Sequence, residues 1–162
     1  MIIHYMQGRD RALPLSPIPR KNWEIDAYPV NEIAEYVQDV SQGDIDVLVE
    51  EYYNKYDMIL DGRDPEEFKK HVAVQAGIEI GFERFLEEKN YQAIVTHFGD
   101  LGSLKQLPGL AIQRLMEKGY GFGGEGDWKT AAMGIEAVYI DGDTTIRNLQ
   151  NELRWNSMYF SK

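Results

Sequence analysis

The residues best placed to do chemistry are concentrated in one run, Gly119 to Ala132, GYGFGGEGDWKTAA. It combines closely spaced glycines with Glu125, Asp127 and Lys129. A run of this kind can cradle a phosphate, hold a cation, line a sugar site, or simply turn the chain ahead of a helix. Gly119, Gly121 and Gly124 fit the G-x-G-x-x-G spacing of a dinucleotide loop. That loop needs a strand before it and a helix directly after, so that the helix N-terminus meets the pyrophosphate. Here the pattern before the run is helical, and an acid, Glu125, stands where the anion would lie. A Walker loop is excluded because no Gly-Lys-Ser/Thr occurs. From the residues alone, a turn capping two helices and a ligand-binding loop both stay open.

Other candidates are sparse. Of the three histidines, His71 follows Lys69 and Lys70 on a charged helix face, where solvation is expected. His97 lies near the end of an apolar run, and His4 is near the N-terminus. Cysteine is absent, which excludes a thiol nucleophile, a thiolate zinc site and a disulfide framework. The net charge of −10 opposes binding to nucleic acid and to anionic membranes, which need clustered Lys and Arg. No apolar stretch is long enough to span a bilayer, and the N-terminus lacks the pattern of a signal peptide. The expected compartment is the cytoplasm.

The elements that would position these residues can be read from periodicity. With 162 residues, 43% hydrophobic and 27% charged, the chain has material for one core. Residues 1–22 read as irregular, with Pro14, Pro17 and Pro19 opposing helix. Val30, Ile33, Ala34 and Val37 repeat with helical spacing after Asn31, a candidate cap. Asp44 is a candidate cap for a second helix striped by Ile45, Leu48, Val49 and Tyr52. Asp64-Pro65 starts a long helix that runs to Asn90, with Gly77 and Gly81 marking close packing. YQAIVTHF, Tyr91 to Phe98, reads as a buried strand. A helix over about Pro108 to Lys118 ends at Gly119, and Trp128 to Met133 allows one or two helical turns with Asp127 as N-cap. Ala137 to Ile140 suits a strand, and Thr144 or Thr145 opens a last helix. The order implies an α/β layered, helix-rich fold with a small, mostly parallel sheet.

GYGFGGEGDWKTAA closely resembles the corresponding segment of L-arabinose isomerases, and so, in register, does FGDLGSLKQLPGLAIQRLMEKG before it. AGIEIGFERFLEEKNYQAIVTHF and, more loosely, NWEIDAYPVNEIAEYVQDVS extend the resemblance over about residues 23–133. GIEAVYIDGDTTIRNLQNELRWNSMYF, in 134–162, resembles the extreme C-terminus of the same family, so two separated family regions abut at Met133-Gly134. Residues 1–22 are unmatched. The resemblance therefore implies a middle-domain-like region of the arabinose/fucose isomerase type joined to a C-terminal tail.

The family interconverts L-arabinose and L-ribulose through an enediol with a divalent metal, usually Mn²⁺, held by two glutamates and two histidines. A base must move a proton between neighbouring carbons while charge on oxygen is stabilised. By this resemblance Glu125 is both a catalytic residue and a metal ligand, and Phe98 lines the sugar site. The other metal ligands belong to family regions not matched here, and Asp100 and Asp127 are weak substitutes. Gly99 stands where the family commonly carries an acid. The resemblance thus implies an isomerase-like chain that is catalytically incomplete alone. The alternative is a non-catalytic module associating with itself, as a homo-oligomer, or with a full-length isomerase. Its candidate contact surfaces are the long helix and the tail aromatics Trp155, Tyr159 and Phe160.

Overall fold

A computed structural model describes residues 2–9, 22–97, 101–124, 126, 127, 129–132 and 134, with the backbone course for 2–9 and 22–24. The strand and helix expected beyond residue 136 lie outside the described residues. Helix α3, Pro65–Lys89, organises the rest. Asp64 caps it by accepting from the Glu67 N–H at 2.8 Å, Pro65 opens its first turn, and Asn90 ends it at φ 57°. The buried face carries Ile78, Phe82, Phe85 and Leu86. Against it pack α1 (Val30–Gln38), α2 (Gln42–Lys55) and α4 (Gly109–Glu117). α3 is therefore the centre of the helical layer.

Two caps differ from expectation. Asn31 does not cap α1. Pro29 occupies that position, and Asn31 instead accepts the Ser103 N–H at 3.0 Å, tying α1 to the loop before α4. α2 is capped by Ser41, whose hydroxyl accepts from the Asp44 N–H at 3.2 Å. The close packing expected at Gly81 is present: a Cβ there would sit 2.6 Å from the Cα of Val37 in α1.

Among the described residues, four strands form one sheet, β1 (Ile2–Arg9), β2 (Asn22–Pro29), β3 (Ala93–Val95) and β4 (Gly121–Gly123), in the order β2-β1-β3-β4. The helix-rich α/β class is as expected, and the parallel character of the sheet resides in the β3–β4 pair. β1 pairs antiparallel with both β2 and β3, so residues 2–9 are extended where irregular chain was expected. Alternation along β3 divides the core. Ile94 joins the helical cluster of Phe82, Phe85, Ile112 and Leu115, while Ala93 and Val95 meet Ala131 and Ala132 on the other face. The Tyr91 hydroxyl donates to Asp26 at 2.7 Å, fastening the entry to β3 onto β2.

A buried ionic network locks α4 to its neighbours. Glu79 is fully buried in α3 and accepts from the Tyr52 hydroxyl at 2.5 Å and from Arg114 Nε at 3.3 Å. Its other oxygen lies 3.0 Å from Lys118 Nζ. Arg114, 5% exposed, also pairs with Glu51 and stacks over the Tyr52 ring. Burial pushes the Tyr52 hydroxyl up, and Glu79 pushes it the same way. At the other end of α4, buried Gln75 accepts from the Ala111 N–H at 3.3 Å and donates to Leu107 O at 2.8 Å. It supplies the cap that Pro108 lacks. No helix among the described residues is long and apolar enough to cross a membrane.

Candidate functional site

The glycine-rich run begins where α4 stops. Gly119, at φ 100°, donates to Met116 O at 3.0 Å, and Tyr120 N–H reaches back to Leu115 O at 3.1 Å. This helix-ending turn delivers the chain into β4. The three glycines of the apparent dinucleotide pattern thus serve three purposes. Gly119 ends a helix, Gly121 starts a strand, and Gly124 opens the turn that follows. The dinucleotide reading is excluded by this order of elements.

β4 runs parallel to β3, with Ala93 opposite Gly121 and Val95 opposite Gly123. One residue further on, the Thr96 N–H donates to Gly123 O at 3.0 Å, and Thr96 O accepts the Gly126 N–H at 3.1 Å. A single residue at the C-terminal end of β3, Thr96, therefore pins the chain on both sides of residues 124 and 125. The turn is tight, because Asp127 N–H donates to Gly124 O at 3.0 Å and Gly126 has φ 82°. It also closes over Gly123, whose added Cβ would lie 2.0 Å from Asp127 O.

Asp127 is a helix cap, as its position suggested. One carboxylate oxygen accepts the Thr130 N–H at 3.1 Å and the other the Thr130 hydroxyl at 2.6 Å. The Thr130 hydroxyl is the main reason its carboxyl lies below the ordinary aspartate range. Ala131 and Ala132 of the helical turn that follows pack on Ala93 and Val95, so the loop is held at its far end too.

Glu125 and Phe98, the residues assigned to catalysis, metal binding and the sugar wall, lie outside the described residues, as do Asp100 and Trp128. Their chain neighbours Gly124, Gly126 and His97 are described, and His97 is exposed. His71 is exposed but not merely solvated. Its Nδ1 lies 2.8 Å from Gln106 Nε2, and the amide nitrogen can only donate, so Nδ1 is the acceptor. β1 brings His4 opposite Val95, a placement that sequence reading missed. Thr96, 2% exposed, also went unnoticed: its hydroxyl is buried without a hydrogen-bond partner among the described residues. A β-branched polar residue closing an apolar strand was the available signal. Among the described residues, no three His, Cys, Asp or Glu side chains gather to hold a metal ion. What the described residues form is a stiff backbone platform at the carboxyl ends of two parallel strands, the usual place for ligands in α/β sheets.

A family profile for the L-arabinose isomerase central domain matches residues 19–141. The chain is 44% identical over 124 residues to an L-arabinose isomerase of Geobacillus kaustophilus, covering 76% of this chain and 25% of the relative. It is 47% identical over 121 residues to that of Serratia proteamaculans, covering 74% and 24%. Similarity to L-arabinose isomerase 1 of Clostridium acetobutylicum is 49% over 111 residues, covering 68% and 23%. The chain thus matches about a quarter of the length of these relatives.

Proposed function

We propose, from the premise that this chain belongs to the L-arabinose isomerase family and carries its central domain, that it contributes one wall of an aldose–ketose isomerase site. The substrate of that reading is L-arabinose and the product L-ribulose. The observation that carries it is the double anchoring of Gly123 and Gly126 on the backbone N–H and C=O of Thr96. That anchoring fixes Gly123 and Gly126, which precede and follow Glu125 in the chain, at the carboxyl ends of β3 and β4. Glu125 is then the carboxylate that takes a proton from one sugar carbon and returns it to the next, and Phe98 is the apolar surface beside the sugar. Such transfer needs a base held in place before the substrate arrives, which a pinned turn between glycines provides.

Mn²⁺ enters this reading only through the family. The described residues do not gather a ligand set for it, and both oxygens of Asp127 are engaged by Thr130. A catalytic metal needs about three protein ligands. The reading therefore assigns the metal no step on this chain alone, and it makes the chain catalytically incomplete without ligands from other segments or another subunit. The test is ketose formation from L-arabinose by the purified chain, with and without added Mn²⁺. No turnover above blank is expected. Turnover that disappears in Glu125→Ala would refute incompleteness while upholding the role of Glu125.

A second reading, association with itself or with a full-length isomerase, draws on Val47, 70% exposed on α2, and Ile59, 79% exposed beyond it. Co-purification with a full-length isomerase, or a concentration-dependent dimer, supports it. A monomer that captures no isomerase counts against it.

A further inference from the structure

The sheet contains a strand that does not come from the matched family segment. β1 is residues 2–9, and the profile match starts at residue 19. Yet β1 is an interior strand, with β2 on one side from Ile2↔Pro29 to Arg9↔Asn22 and β3 on the other from His4↔Val95 to Met6↔Ala93. Both flanking strands lie inside the match. Neighbouring strands are about 4.8 Å apart, so β2 and β3 stand roughly 9.6 Å from each other. That is far beyond hydrogen-bonding reach. The matched segment therefore presents a slot one strand wide, walled by two of its own edges.

We propose that residues 2–9 act as a built-in donor strand that fills this slot in cis and completes the sheet by β-augmentation. The slot accepts an extended segment of eight residues running antiparallel to both walls. Filling it pairs backbone groups on β2 and β3 that would otherwise be exposed edges open to other chains. It also steadies the site. β1 reaches Val95, and the next residue is Thr96, whose backbone N–H and C=O hold the turn from Gly123 to Gly126. The inference does not depend on the isomerase reading, because it concerns the folding of the sheet rather than the chemistry at its edge.

Cysteine pairs test the register without background, because the natural chain has none. Met6→Cys with Ala93→Cys, and Tyr5→Cys with Ile94→Cys, join opposed positions of the two alternating ladder types, and at least one falls at the spacing a disulfide accepts. Met6→Cys with Ile94→Cys is out of step by one residue, which puts the side chains on opposite faces. The expected result is an intramolecular disulfide in an opposed pair and none in the offset pair. Oxidation of neither opposed pair, equal oxidation of the offset pair, or cross-linking only between two copies overturns the proposal. In a second measurement, a chain lacking residues 1–9 is examined by hydrogen exchange. Amides of Ala93 and Val95, which alternate toward β1, should exchange roughly tenfold faster or more. Added peptide IIHYMQGR should restore protection, and the same peptide with Tyr5→Pro should not. Protection retained without peptide overturns the proposal. If the shortened chain does not fold, the cross-links in the full chain decide it.

Discussion

Gly77 and Gly81 lie one turn apart on α3, and alanine at the two sites should act with opposite sign. At Gly81 an added Cβ would be 2.6 Å from Val37 Cα and 2.7 Å from both Val37 N and Cγ2. Carbon atoms in contact prefer 3.5–4.0 Å, so the overlap is about 1 Å. Most of it falls on backbone, which no rotamer change can clear. Helix α1 must move outward, loosening Ile33 and Ala34 from the cluster of Ile78, Phe82 and Phe85. Overpacking of this kind costs about 1–3 kcal/mol, and alanine returns about 1 kcal/mol of helix propensity. The net expectation is a loss of up to about 2 kcal/mol. At Gly77 the added Cβ would meet Ile45 Cδ1 at 3.5 Å, an ordinary contact. Only the propensity gain remains, about 1 kcal/mol in favour of folding. Chemical denaturation followed by circular dichroism would show the two midpoints moving in opposite directions with unchanged slope. In thermal melts the shifts should be about 2–4 °C per kcal/mol. If Gly81→Ala stabilises, or both variants shift alike, α1 does not lie against α3 at Val37 and the packing argument fails.

Three further outcomes follow from the same packing. Arg114→Met should destabilise by about 3 kcal/mol, because it removes a partner from the fully buried Glu79. Combining it with Glu79→Leu should cost clearly less than the sum of the two single changes, measured as a double-mutant cycle. Stability should fall as pH rises above about 10, the range in which unfolded tyrosine ionises. Burial first, and then the neighbours Glu79 and Asp26, raise the Tyr52 and Tyr91 hydroxyls in the folded chain, so it keeps protons that the unfolded chain loses. The stabilisation is complete below that pH and lost above it, and Tyr52→Phe should flatten the decline in denaturation midpoints. Gly123→Ala should lever the turn off β3, since its Cβ would press on Asp127 O, costing about 1–3 kcal/mol. Faster exchange of the Gly126 amide, now bonded to Thr96 O, is the direct readout.

Much of the helical layer is legible in the sequence because its signals are local. Asp64-Pro65 and Asn90 bracket α3 within a residue of its observed ends, and Gly119 ends the turn after α4. The caps of α1 and α2 are not legible because their deciding contacts are not local or offer close competitors. Asn31 is taken by Ser103, far along the chain, and Ser41 stands three residues before Asp44 with the same chemistry. Pro14, Pro17 and Pro19 make residues 1–22 read as irregular, yet all three fall between the two strands. A ladder between residue 5 and residue 94 leaves no local trace for periodicity to detect.

The site was legible in a different way. Spacing alone pointed toward a nucleotide loop, and it did so because it joined glycines that belong to three different elements. Resemblance supplied Glu125 and Phe98, and the physical reading of Asp127 as a cap agrees with its two bonds to Thr130. Neither route points to Thr96, although its backbone N–H and C=O are where the elements converge. It extends β3, accepts from one side of the turn and donates to the other. A glycine-rich loop would be too loose to hold a side chain in place if the glycines alone set its shape. Here its freedom is removed by backbone bonds to a strand that is itself held by β4 on one side and β1 on the other. The stiffness of the candidate site is thus a property of the sheet, and any change that frees β1 should be felt at Gly126 before it is felt in the helices.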